Sequence, residues 1–175
     1  ENLNEPRTQV SLHNKGKTYW ENFPILNFID QHTFQEEEIK LFDTKIAIIL
    51  LDKLETWQKL NVTAFLMSGI IGKHSELIGK EYLDKSANKY LALSQQPAVV
   101  LEADTTKIVK IHERVISHSI ASALYIRDMF STYNDDDNRN TVLRYDSSEL
   151  PLVGIAIREE KKLVDKVTKG AKLHP

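Results

Sequence analysis

The sequence predicts an α/β fold: a three-layer α/β/α sandwich built on a small mixed, mostly parallel sheet of about four strands. Three observations carry that expectation. Apolar, β-branched runs of strand length recur at 45–51, 97–101, 121–126 and 152–157. Helix-period segments lie between them, the alternation that produces α/β layers. The chain has 175 residues, 41% of them hydrophobic and 27% charged, enough apolar surface for one buried core.

Lys45 to Leu51 is apolar on both faces, as a central strand is. Thr56 can cap a helix running to about Ile71. Its expected apolar stripe is Trp57, Leu60, Ala64 and Phe65, widened by Val62, Leu66 and Gly69. Residues 82–96 suggest a hairpin or loop, because the turn signal Asp84-Lys85-Ser86-Ala87-Asn88 stands between Tyr82 and Tyr90. Pro97 to Leu101 is a second buried strand. Asp104 then caps a helix with Ile108, Ile111, His112, Val115 and Ile116 on one side. Strands follow at Ala121–Ile126 and Leu152–Ile157. A last helix over about 159–169 begins with two glutamates, ends with lysines and stops at Gly170.

Residues 1–43 differ from this pattern. They carry four cations against eight acids, which leaves the remaining 132 residues at +2 out of a total of −2. Thr33-Phe34-Gln35-Glu36 fits a capping box for a short helix over 34–42, and Tyr19, Trp20 and Phe23 form an aromatic stretch. The segment is expected to be an extension packed on the main domain, or the tail of a preceding segment. Residues 44–175 form the α/β domain.

Composition excludes several chemistries. With no cysteine, disulfides, thiolate zinc sites and cysteine nucleophiles are impossible. The six histidines are scattered and make no His-Glu-x-x-His pair; His112 reads as a core histidine. Gly69 to His74 contains Gly-Lys at the end of a helix and with the wrong spacing for a phosphate loop. Asp135-Asp136-Asp137 reads as a solvated loop. No metal or cofactor is expected. A near-neutral body disfavours nucleic acid, which needs several cations against phosphates. No signal peptide or membrane span is visible, so a cytoplasmic protein is expected.

Ligands of open α/β sheets sit beyond the carboxyl ends of strands. Two such ends attract attention: the one leading into the helix with Asn61, and Arg127-Asp128-Met129-Phe130-Ser131-Thr132. If the two strands are parallel neighbours, both ends face one crevice.

Three segments resemble the type II peptidyl-tRNA hydrolases: Lys45 to Leu50 with the helix of Asn61 to Gly69; Gln96 to Leu101 with the later Leu124-Tyr125-Ile126-Arg127-Asp128; and Val153 to Ile157 leading into Leu163 to Thr168. The closer similarity is to an uncharacterised bacterial branch of that fold, domain of unknown function family two-thousand. Its features are Asp52-x-Leu54-x-x-Trp57-Gln58-x-Leu60-Asn61-Val62, Tyr82-x-Asp84 to Tyr90, and the ending Lys166 to Pro175. The resemblance covers about 44–175. It implies an Asp–Thr pair at Asp128 and Thr132, and places Asn61 where the hydrolases carry a lysine. Asn offers an amide donor but no fixed positive charge for an oxyanion or a phosphate. Lys59 would fill that role only in a shifted register.

The function expected from these residues is a diverged domain that binds a polar small molecule. Asn61, Asp128 and Thr132 would line its crevice, Trp57 and Phe130 would form apolar walls, and Lys59 would lie nearby. The alternatives are an ester hydrolase of peptidyl- or aminoacyl-tRNA-like conjugates, and a protein-interaction domain, including a homo-oligomer, that uses the N-terminal aromatics.

Overall fold

The computed structural model describes residues 42–175. The helix expected near 34–42, the aromatics Tyr19, Trp20 and Phe23 and the packing of the extension lie outside the described residues.

At the centre stands β1 (Thr44–Leu51), whose residues from Ile46 to Leu51 are all buried. It pairs in parallel with β4 (Ala98–Ala103) on one side and antiparallel with β6 (Leu152–Glu160) on the other. β5 (Ser122–Ile126) is antiparallel to β6, and the short β7 (Lys172–Leu173) is antiparallel to β4. The sheet order is therefore β5-β6-β1-β4-β7. This five-stranded, mostly antiparallel sheet corrects the expected four-stranded, mostly parallel one. The reason lies between β5 and β6, where α3 (Asp135–Val142) packs mainly on the Arg127–Ser131 turn. Without a crossover helix on the sheet, the chain turns back and β6 runs in reverse between β1 and β5.

Two further strands make the expected hairpin, β2 (Tyr82–Leu83) and β3 (Lys89–Tyr90). The Asp84 carboxylate closes its turn, accepting bonds from the Ser86 and Asn88 backbone N–H groups and from the Asn88 and Tyr90 side chains. Those donors, Asn88 foremost, hold its pKa at about 2.

Helix α1 (Thr56–Lys73) packs on β5, β6 and β1. Its N-cap is Glu55, whose N–H donates to the Gln58 side chain at 3.0 Å, so the expected cap, Thr56, is instead the first helical residue. The buried row is Val62, Leu66 and Ile70. Trp57, Leu60, Ala64 and Phe65, the expected core stripe, are exposed. The helix settles on the row that fits the sheet most closely. At Gly154 of β6 an added Cβ would lie 2.5 Å from Val62 Cγ1 and 2.9 Å from Leu66 Cδ1, and at Gly69 it would lie 2.8 Å from Ala123 Cβ.

α2 (Thr105–Ser117) starts as expected, with Asp104 accepting from the Lys107 N–H at 2.9 Å. It buries Ile108, Ile111, His112 and Val115, whereas Ile116 stays half exposed. α4 (Lys161–Val167) is shorter than expected, because Glu159 and Glu160 finish β6 opposite Lys45 and Thr44. Arg114 donates to the Lys166 carbonyl in the last turn of α4 and to the Lys169 carbonyl beyond it, and Gly170 turns there with φ +103°. Asp135, Asp136 and Asp137 form the first turn of α3 and not a loop; Asn134 caps them and Arg139 bonds Asp135 and Asp136.

Gly154→Ala is expected to destabilise the chain by about 1–3 kcal/mol in urea unfolding, since the new methyl overpacks a full interface. A second expectation follows from His112. Burial holds its imidazole below the ordinary histidine value, so the unfolded chain takes up that proton first as pH falls. Stability from this site is complete above the unfolded pKa and drops as pH falls through it. His112→Leu should flatten the decline in melting temperature between about pH 7 and about pH 5.

Candidate functional site

β1 and β5 are not neighbours, but each runs antiparallel to β6, so their carboxyl ends reach the same end of the sheet. α1 leaves from one end and the Arg127–Ser131 turn from the other. In place of one crevice between neighbouring strands, two adjoining cavities lie at this end, with Asn61 lining one and Asp128 the other.

The first cavity, of about 330 Å³, has an aromatic floor. Trp57, Asn61 and Phe65 are spaced i, i+4 and i+8 along α1 and form one row on its surface. Tyr125 lies opposite Gly154 in the register of β5 on β6, and so rises on the face that α1 covers. Its ring packs 5.7 Å from Phe65 and 5.2 Å from Phe130, and Phe130 stands edge-on to Trp57 at 5.6 Å. The Tyr125 hydroxyl reaches Asn61 Oδ1 and the Met129 carbonyl, both at 3.4 Å. Burial raises the Tyr125 pKa, which keeps the phenol a proton donor. The Asn61 amide nitrogen donates to no group among the described residues. The Thr132 hydroxyl donates to the Met129 carbonyl at 2.8 Å and touches the Asn138 amide at the cavity's rim.

A second cavity of about 500 Å³ adjoins it, with Thr132 lining both. It is polar, walled by Arg127, Asp128, Ser131, Asp137 and Arg144. Asp128 Oδ2 accepts from the Tyr145 hydroxyl at 2.7 Å, and that bond, with burial second, pushes the Tyr145 pKa up. Among the described residues no three His, Asp or Glu side chains are grouped to hold a metal ion.

A family model, Protein of unknown function (DUF2000), matches residues 44–175. The chain belongs to the DUF2000 family. A solved structure of a protein of unknown function from Agrobacterium tumefaciens is 50% identical over 77% of this chain and all of that one, with a TM-score of 0.76. No curated protein matches the chain.

In this DUF2000 chain, then, Trp57, Asn61, Phe130 and Thr132 gather at the aromatic cavity, while Asp128 lines the adjoining one beside Thr132. Lys59 lines neither cavity and pairs with Glu102 of β4 at 3.7 Å. Sequence reasoning missed Phe65, Tyr125 and Asn138 as site residues. The spacing of Trp57, Asn61 and Phe65 was the available signal for the first; nothing local marks Tyr125, whose place depends on its pairing with Gly154.

Phe130 is the ring that Trp57 and Tyr125 share. In a Trp20→Phe background, Phe130→Ala is expected to red-shift Trp57 emission and to cost roughly 2–3 kcal/mol, below the range for a fully buried ring. Tyr125→Phe should stay within about 1 kcal/mol of the parent, because it loses only two long hydrogen bonds.

Proposed function

We propose that the chain is a diverged α/β/α domain, akin in build to the type II peptidyl-tRNA hydrolases, that binds a polar small molecule in this crevice and does not hydrolyse the ancestral ester. The observation that carries this reading is the uncommitted amide of Asn61 above an aromatic floor. Ligand pockets combine an apolar lining with a few polar groups that fix orientation. The position where the hydrolases would hold a cation here supplies a neutral donor, and Lys59 is turned to Glu102. A cytoplasmic setting accords with the composition.

Ester hydrolysis of an aminoacyl or peptidyl conjugate is the second reading, favoured by Asp128 and Thr132 lining one cavity. Asp128 would orient water and Thr132 would hold the substrate.

A thermal-shift screen with nucleotides, amino-acid derivatives and short RNA separates the two. On the binding reading, a small molecule at a hundredfold excess over its Kd stabilises the parent by about 2.7 kcal/mol and Trp57→Ala far less. The parent also leaves an N-acylaminoacyl-tRNA ester intact at the background rate. Turnover of that ester, abolished in Asp128→Ala, would establish the hydrolase reading instead.

A further inference from the structure

The described residues include five arginines, and three of them are bonded to other groups. Arg114 holds the carbonyls of Lys166 and Lys169 at the end of α4, Arg139 pairs with Asp135 and Asp136, and Arg158 bonds Gln96, His74 and Glu76. The side chains of Arg127 and Arg144 make no ion pair and no hydrogen bond among the described residues. Both line the second cavity.

Two carboxylates face the same space. Asp128 gives one oxygen to Tyr145, and Asp137 gives one to the Asn134 amide at 2.8 Å. Among the described residues the other oxygen of each has no hydrogen-bond partner. No carboxylate oxygen of either aspartate comes within 4.0 Å of a guanidinium nitrogen of either arginine, since no such pair occurs among the ion pairs of the described residues. The cavity therefore presents two guanidinium groups and two carboxylates that stay apart across about 500 Å³.

A ligand of one sign fits this poorly. A phosphate would meet both carboxylates, and a simple cation would meet both arginines. A ligand with both charges fits: a carboxylate takes the forked N–H donors of arginine, and an ammonium takes the open carboxylate oxygens. Thr132 lines this cavity and the aromatic one, so a group attached to that head would extend over Trp57, Tyr125 and Phe130.

We propose that the second cavity binds the zwitterionic head of a free α-amino acid, with an aromatic side chain lying in the first cavity. The inference rests on the small-molecule reading above and names the ligand class of that site.

The test is calorimetric titration of the full chain with L-phenylalanine, N-acetyl-L-phenylalanine, L-phenylalaninamide and inorganic phosphate. L-Phenylalanine is expected to bind at least about tenfold more tightly than either blocked form, the loss that one charged hydrogen bond brings. Arg127→Ala with Arg144→Ala should abolish the preference over the amide. Asp128→Asn with Asp137→Asn should abolish the preference over the N-acetyl form. Circular dichroism melts of each variant, and Arg144→Lys, which keeps the charge, separate these losses from misfolding.

Equal or tighter binding of N-acetyl-L-phenylalanine, or phosphate binding that depends on both arginines, would overturn the proposal in favour of an anion site. A screened molecule that needs Trp57 but ignores Arg127 and Arg144 would overturn it too, while leaving the small-molecule reading in place. Absence of binding by every compound would end both.

Discussion

The structure depends on a side chain that is not there. Gly154 lets Val62 and Leu66 of α1 close onto the middle of β6, where even a methyl group would collide with both. Interiors packed at crystal-like density do not absorb such a collision by drifting apart. The contact therefore fixes the distance and the rotation of α1 on the sheet. Once Val62, Leu66 and Ile70 are turned inward, the neighbouring row of Trp57, Asn61 and Phe65 can only stand at the helix's flank, above β5. Tyr125, level with Gly154 in the sheet, meets that row. Core and candidate site are thus adjacent stripes of one helix, and the glycine positions both.

The two ends of the sheet are treated differently. At the end where β1 begins, Arg158 draws Gln96, His74 and Glu76 together, and Gln96 in turn donates to the Thr44 carbonyl. These bonds tie the side chains at that end to one another. At the end where β1 and β5 finish, Arg127, Arg144 and the Asn61 amide have none among the described residues. Arg127 and Arg144 are exposed and keep their hydration, whereas Asn61 is partly buried, where an amide ordinarily finds an internal partner. Groups left open together, beside exposed aromatic rings, mark the end at which the fold meets something else.

The positions of the four longer sheet strands were legible in the sequence, because β-branched runs such as Ile46 to Leu51 have few other uses, whereas the two-residue β7 carries no such run. Strand direction was not. Apolar runs carry no sign, and only the chain's path through α3 reverses β6. The cap at Asp104 and the turn at Asp84 were legible because each rests on one side chain bonding its own neighbours. The row that α1 buries was legible only in part: Val62 and Leu66 were expected on the buried face, but at its margin, and the match to Gly154 makes them its centre in place of Trp57 and Phe65. Of the site, Asn61, Trp57, Phe130 and Thr132 were visible from their places beyond strand ends. Asp128 was visible too, but the structure sets it in the adjoining cavity, tied to Tyr145, a partner 17 residues away that no local pattern announces.

An asparagine at position 61 suits this setting in a way a lysine would not. An ammonium at that position would stand against the faces of Trp57 and Tyr125, where cation–π attraction would hold it in the aromatic cavity and close it to other groups. A neutral amide leaves the rings free for an apolar partner and still offers a directed donor. The crevice does carry positive charge. It sits on Arg127 and Arg144, on the far side of Thr132. Any developing negative charge near Thr132 would be met by guanidinium groups from the turn after β5 and the end of α3, not by the helix. Arginine stays protonated at all ordinary pH and cannot act as the titratable partner that a lysine in an apolar cavity becomes. The two guanidinium groups therefore supply fixed charge to this end of the sheet, and Asp128 and Asp137, which share the cavity with them, are its titratable groups.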